Sequence, residues 1–497
     1  MTTALLARRF LAEAARTPVN VLTLVLVPVV FVVVAAGPMA DAAELLGGPG
    51  GPAVQTATAG WAAGFIAGVA MYFQMRAARA ADRRLVLAGL APSRLVAARM
   101  ATGLTLAVVA AAAALAALQL RTGISDPVRV AAGTLMFAVI YLAIGALIGT
   151  FVASPVSGTV LVLFVWILDV FFGPAIGAAD RPVTRVLPTH FVALWMIDLP
   201  SHHAGRISDL GWALTWTAAA TAVGWAVITA ASRTARPPRH RAGPGSTADQ
   251  IAAGVQMGLR ETGRDHVLWV LLAAVPVVFV LLAVATTPEE STSLTVRENG
   301  RTLSQEVWFP DVHGGTMTPI AIASLATLAG LFTVLDARSA DQRLALAGFR
   351  TGSLLASRLA VVIVLALLAT AASLAVTATV FDARQWGLYM GASVLIALTY
   401  ALVGVLIGPL FGRVGGVLVA FLLPFLDLGI EQSPMLHPQP PAWAHALPGY
   451  GPGRVLIDAA ITPTFDETGA LLLSLGWLAV LTAAAAVVFR RTATRAR

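Results

Sequence analysis

Runs of apolar residues long enough to cross a bilayer alternate with short polar stretches along the whole chain, and their order repeats. In the first half they fall near 19–36, 58–74, 95–118, 128–151, 157–172 and 210–231; in the second, near 266–286, 317–335, 354–380, 386–411, 416–430 and 469–489. About 17–25 apolar residues suffice for one crossing, so twelve membrane-spanning helices in two sets of six are expected. An even number of crossings per set gives both sets the same orientation. Amphipathic surface helices are expected over 4–16 and 248–264, each just before the first crossing of its set. A stretch rich in Pro, Gly and Arg, 233–246, reads as a linker. The expected division is a first half 1–232, a linker 233–248 and a second half 249–497.

The polar stretch after the second crossing of each set carries the strongest internal likeness. ARAADRRLVLAGLAPSRLVAARMA, residues 78–101, aligns with ARSADQRLALAGFRTGSLLASRLA, residues 337–360, with thirteen identities in twenty-four. Arg79, Asp82, Arg84, Leu87 and Gly89 answer Arg338, Asp341, Arg343, Leu346 and Gly348, all at an offset of 259. An offset this large means two copies of one large unit. Charged positions alternate with Leu85, Leu87 and Leu90, so a short amphipathic helix at the membrane surface is expected over 79–90 and again over 338–349. Arg99 and Arg358, a turn into the following crossings, are expected to anchor depth at the lipid headgroups.

Composition places the chain in the membrane class. It is 58% hydrophobic and 12% charged, with a mean hydropathy of +0.82. All 33 basic residues are Arg, so a phosphate-binding loop that ends in Lys is excluded and the chain carries no ATPase of that type. With no Cys, disulfides and thiolate metal sites are excluded too. The first residues show no cleavage-site pattern, so no signal peptide is expected. The eight His are scattered; His202-His203 has no acid at ligand spacing, and no metal site is expected.

Charge orients the chain. The side with both termini, the linker and the twin helices carries 24 Arg against 7 acids, and the opposite side 9 Arg against 18. By the positive-inside rule the termini are expected to be cytoplasmic, and the basic pI reflects topology and anionic headgroups. Basic patches interleaved with aromatics are absent, so no nucleic-acid partner is expected. On the outer side, the long loops 182–209 and 432–468 contain apolar turns too short to span and are expected to form re-entrant or interfacial helices. The loop 287–315 is longer and more acidic than its counterpart 37–56.

The run from Leu87 to Arg94, LAGLAPSR, followed by Arg99, resembles the signature of ABC-2 type transporter permeases. The six-helix halves, the N-terminal surface helix and the outer helices between fifth and sixth crossings are also similar to that family. The likeness covers essentially the whole chain, twice. It is nearest to the fused permeases of actinobacterial polyketide and tetronasin antibiotic exporters. Asp82 and Asp341 stand where the family usually has Glu, and Thr351-Gly352-Ser353 replaces Pro92-Ser93-Arg94 in the second copy.

The resemblance implies an all-α integral membrane protein of twelve transmembrane helices, two tandem six-helix repeats like those of type V exporters. It implies a plasma-membrane export subunit that is not itself an enzyme. Two copies of a separate ABC ATPase would bind ATP and Mg, and this chain would carry no cofactor. The cargo would be a hydrophobic or amphiphilic drug, antibiotic or lipid. Arg79, Asp82, Arg84, Leu87 and Gly89, with Arg338, Asp341, Arg343, Leu346 and Gly348, would form coupling helices seated in the ATPases. The two Asp would cap or pair with basic residues there. Phe65, Tyr72, Phe164 and Trp166, with Phe332, Phe421 and Phe425, would line the transport path. Asp169 and Asp427 recur near the outer end of the fifth crossing, each after a Leu, and have two readings. Either they pair with Arg181, Arg185 or Arg454 as an outer gate, or they cap the re-entrant helices. Gly145-x-x-x-Gly149 and Gly404-x-x-x-Gly408 read as helix-packing seams. The competing class is a twelve-helix secondary transporter driven by an ion gradient; a membrane-embedded enzyme would need paired acids or a His cluster that the sequence lacks.

Overall fold

A computed structural model describes residues 3–16, 18–152, 154–176, 182–197, 204–231, 247–298, 301–346, 349–437 and 439–494. Two compact units divide the chain, Met1–His240 and Arg241–Arg497. The linker 233–246 lies outside the described residues.

The first unit runs α1 (Thr3–Ala15), α2 (Pro18–Leu45), α3 (Gly51–Leu87), α4 (Pro92–Arg121), α5 (Pro127–Phe151), α6 (Pro155–Phe171), a 3-10 turn (Pro182–Val186), α7 (His190–Met196) and α8 (Ile207–Ala231). Pro92, Pro127 and Pro155 stand in the first turn of α4, α5 and α6. There the missing N–H costs nothing and the fixed φ favours a helix. The apolar window of α3 is 89% buried, whereas that of α8 is 17% buried. α3 is therefore the central helix of the unit, and α8 turns Trp212, Leu214 and Val223 outward. Apolar side chains facing outward along a helix of this length mark a lipid-facing surface.

The second unit runs α9 (Thr247–Gly263), α10 (His266–Thr286), a hairpin of β1 (Ser291–Glu298) and β2 (Arg301–Trp308), α11 (Phe309–Leu346), α12 (Thr351–Thr377) and α13 (Trp386–Pro424). A π-helical turn (Phe425–Glu431), a 3-10 turn (Ala442–Ala446), α14 (Tyr450–Ile461) and α15 (Thr468–Thr494) complete it. Here α11 is the central helix, its apolar window 83% buried.

The chain is thus a helical membrane protein, and eleven of the described helices are long and apolar enough to cross a bilayer. A first difference from the expected pattern of segments lies in continuity at one place. In the first unit α5 ends at Phe151 and α6 starts anew at Pro155, with Ser154 accepting from the Ser157 N–H. In the second, the corresponding segments join into one 46-residue stretch, Trp386–Glu431. No Pro restarts the helix there; the only break is Gly412, at φ 66° and ψ −160°. That backbone conformation is open to Gly at little cost.

A second correction concerns the short surface helices over 79–90 and 338–349. Neither is a separate element: α3 spans 37 residues and α11 spans 38 without interruption. Between Gln74 and Leu87 the chain is Ala, Arg, Leu and Met with few exceptions, all good helix formers, so the helix continues past the point where hydropathy ends. At 1.5 Å per residue such a helix is about 55 Å long, well beyond a ~30 Å hydrocarbon core. The second unit also carries one hairpin, an element that hydropathy alone does not mark. Leu294 and Val296 of β1 pack with Val312 and Ile461, which seats the hairpin against α11 and α14.

Small residues let the central helices approach their neighbours. A Cβ on Gly145 would lie 2.0 Å from the Gly68 carbonyl oxygen, and one on Gly404 would lie 2.0 Å from that of Thr327. Both Gly-x-x-x-Gly pairs are close-packing seams, α5 on α3 and α13 on α11.

Candidate functional site

Two arrangements recur in both units: an elbow where the long central helix turns into the next, and a tether that holds a short outer helix.

In the first unit α3 ends in a Schellman motif. The Leu90 N–H donates to the Leu85 carbonyl and the Gly89 N–H to that of Val86, both at 3.0 Å, with Gly89 at φ 91°. No atom lies within 4 Å of a Cβ placed on Gly89, so backbone conformation alone calls for glycine. Just inside this turn, Asp82 and Arg99 of α4 form a two-pronged pair. Nη2 donates to Oδ1 at 2.8 Å and Nε to Oδ2 at 3.2 Å. The ring of Phe10 on α1 covers the guanidinium, its centroid 3.5 Å from Cζ. One ion pair thus joins α3 to α4, and α1 is seated on α4 over its guanidinium.

The second unit repeats this geometry. Arg358 donates to Asp341 at 2.8 Å and 3.3 Å, and the Phe349 N–H donates to the Leu344 carbonyl at 2.9 Å. α9 packs on α12 through Gly254 and Gly258. A Cβ on either would come within 2.7 Å of Ser357 or Val361. Gly348 lies outside the described residues, and so does the side chain of Leu346.

These contacts correct two expectations. Asp82 and Asp341 are engaged by arginines of this chain, so they are not available as pairing groups for a partner. Arg99 and Arg358 are buried in those pairs, and their guanidinium groups are spent on the acids instead of being exposed as depth anchors. The surface left at the first elbow is Arg83, Arg84 and Leu87, the Leu 77% exposed; at the second it includes Arg338 and Arg343. Arg79 is used inside its unit, donating to the carbonyls of Gly149 and Val152 where α5 ends. Arg338 is exposed, and the break at Gly412 is bordered instead by a 2.6 Å pair of Arg413 with Asp336. The repeat-equivalent arginines therefore do different things.

At the far end of α6, Asp169 accepts from the Tyr141 hydroxyl at 2.8 Å, the Thr189 hydroxyl at 2.6 Å and the Thr189 N–H at 3.3 Å. Thr189 is the N-cap of α7. In the second unit Asp427 accepts from the Tyr400 hydroxyl at 2.5 Å, the Gly449 N–H at 2.8 Å and Gln432 Nε2 at 3.4 Å. Gly449 is the N-cap of α14. Of the two readings of these acids, capping of the short helices is the one the contacts satisfy. Arg454 pairs with Glu467 at 2.7 Å, Arg185 is exposed, and Arg181 lies outside the described residues. Tyr141 and Tyr400 are the partners that sequence reasoning missed; their 28- and 27-residue separations from the acids carry no local signal.

The expected path residues are packing residues of their own units. Phe65, Tyr72, Trp166, Phe332, Phe421 and Phe425 are buried, and Phe164 is half-buried. Tyr72 donates to the Ser154 carbonyl at 2.8 Å, and Trp166 Nε1 to that of Trp61 at 2.9 Å. Phe65 leans on Trp166, and Phe421 stacks on Phe425. His202-His203 lies outside the described residues; among those described, no group of His, Asp and Glu is placed to hold a metal. No protein-family model matches this chain, and neither does any curated protein.

Proposed function

We propose that this chain is the membrane subunit of an ATP-driven exporter whose ATPase is a separate polypeptide, with one elbow of each unit as its docking surface. The observation that carries the reading is the duplicated elbow: a central helix that outruns the hydrocarbon core and is clamped to the next helix by an Asp–Arg fork. A clamped, continuous helix transmits a push at its end to the packed core with little loss, which a flexible loop does not. Arg83, Arg84 and Leu87, with Arg338 and Arg343, supply the exposed basic and apolar contacts such docking needs. The excess of Arg on the side that carries both elbows supports a cytoplasmic position for them in a plasma-membrane protein. On this reading Trp386–Glu431 makes two crossings that meet at Gly412, which gives twelve in all, and the cargo is a hydrophobic or amphiphilic compound.

The test is co-expression with the ABC ATPase encoded beside this gene, co-purification, and ATP turnover against a panel of amphiphiles. Arg84→Glu with Arg343→Glu is expected to lower co-purification at least tenfold while leaving membrane insertion unchanged. Efflux by the chain alone in proteoliposomes, driven by an ion gradient without ATP, would establish the secondary-transporter reading instead.

A further inference from the structure

Between the hairpin, the π-helical turn and α14 of the second unit lies a small cavity of mixed lining, where Gln432, His437, Arg454, Asp458 and Glu467 meet apolar residues such as Val296 and Ile457. Two of its oxygens have no hydrogen-bond partner among the described residues, Gln432 Oε1 and Asp458 Oδ2. Both residues are deeply buried, at 4% and 5% exposure. The orientation of Gln432 follows from its other atom. Nε2 donates to the Ala444 carbonyl at 3.1 Å and to Asp427 Oδ1 at 3.4 Å, both acceptors, so Oε1 must face away from them. Asp458 is fixed in the same way: Oδ1 takes the Thr462 hydroxyl at 2.6 Å, and Oδ2 is left over.

Two buried acceptors with no donor are costly. What satisfies both at once is positive charge or a pair of protons. Arg454 and Glu467 neutralise each other at 2.7 Å, and His437 lies by Glu431, so among the described residues the carboxylate of Asp458 has no ion-pair partner. Burial raises that carboxyl above its ordinary value and the charges of Asp466 and Glu467 add to the effect, while hydrogen bonds from the Thr462 hydroxyl and the Asp466 backbone act against it. The free space, about 10 Å³, is at the lower limit for one water molecule, and a bare sodium-sized ion is smaller still. One uncompensated carboxylate with neutral oxygens suits a hard monovalent cation; calcium takes six to eight oxygens.

We propose that Asp458 and Gln432 bind a single sodium-sized monovalent cation, with β1 closing the site. The ion fastens α14 to the π-helical turn and, through Gln432, adjoins the Tyr400–Asp427–Gly449 tether. This site is independent of any ATPase partner.

The test is thermal melting of the purified full chain in choline chloride, replaced stepwise by NaCl, LiCl, KCl or CaCl₂ at constant ionic strength. NaCl is expected to raise Tm by a few degrees and then saturate, as binding to the folded state alone requires. Asp458→Asn keeps an acceptor for Thr462 and removes the charge; it is expected to abolish the NaCl response and to melt no lower than wild type in choline. Wild type is expected to hold one equivalent of radioactive sodium, displaced by lithium and not by choline. Gln432→Met, which removes the amide oxygen, is expected to weaken that binding at least tenfold and decides the matter should the Asn variant not fold. Equal Tm in sodium and choline, stabilisation by calcium alone, no bound sodium, or unchanged binding in both variants would each overturn the proposal.

Discussion

Arg99 and Arg358 show how much can rest on a single side chain in a helix end. Each guanidinium is largely removed from solvent, and one carboxylate, Asp82 or Asp341, meets it with both oxygens. Breaking such a pair leaves a buried charge uncompensated, at about 3–5 kcal/mol. Arg358→Ala or Asp341→Ala should therefore lower stability by about that much in thermal melts. The effect at Arg99 and Asp82 should be the smaller, since Asp82 is the more exposed of the two acids. Replacing Asp341 and Arg358 together by Leu should recover most of the loss, because the isolated charge and not the missing bond dominates it. Gly89 makes the opposite kind of demand. With open space around it and φ at 91°, Gly89→Ala should cost roughly 1–2 kcal/mol from backbone conformation alone, and Gly89→Asn less. Equal losses for Ala and Asn would mean a contact, not the turn, selects glycine.

At the level of elements, the two tethers do the same work with different chemistry. Thr189 gives Asp169 a hydroxyl and an N–H, whereas Gly449 gives Asp427 only an N–H, and a Cβ there would stand 2.7 Å from the carboxylate. Thr189→Val should thus cost about 1 kcal/mol, the worth of one hydrogen bond, while Gly449→Ala must displace Asp427 and should loosen α14 as a unit. Amide exchange read along His190–Met196 and Tyr450–Ile461 separates the outcomes: faster exchange confined to the mutated tether's helix is expected. The acids were legible as a recurring Leu-Asp near the end of an apolar run. Their tyrosines were not, because a hydrogen bond between helices depends on which faces meet and leaves no trace in spacing. The same limit explains the elbows. Hydropathy marks where the chain leaves lipid, but helix propensity decides where a helix stops, and from Gln74 to Leu87 nothing stops it before Gly89. The hairpin was legible and overlooked: Leu294 and Val296 alternate with polar residues ahead of Asn299-Gly300, a strong two-residue turn signal. Gly412 escaped notice because a lone glycine inside an apolar run reads equally as a packing contact or a break.

Across the molecule as a whole, duplication has preserved the clamp and the tether while the residues next to them have taken separate roles. Arg79 closes the carbonyl end of α5, and its counterpart Arg338 faces outward. Identical substitutions should therefore act differently in the two units. Arg79→Ala leaves the carbonyls of Gly149 and Val152 without their charged donor, which typically costs about 1.5–3 kcal/mol, so it should lower Tm and affect partner binding only through that loss. Arg338→Ala removes an exposed side chain and should leave stability within about 0.5 kcal/mol of wild type. If the elbows receive an ATPase, it should nonetheless weaken co-purification, and more so at low salt, where a surface charge counts most. Measuring Tm and co-purification for both variants separates the two functions of one ancestral position. Were Arg338→Ala to leave partner association unchanged at every salt concentration, the basic face of the second elbow would not be a docking surface, and the coupling role would have to rest on Arg83, Arg84 and Leu87 of the first.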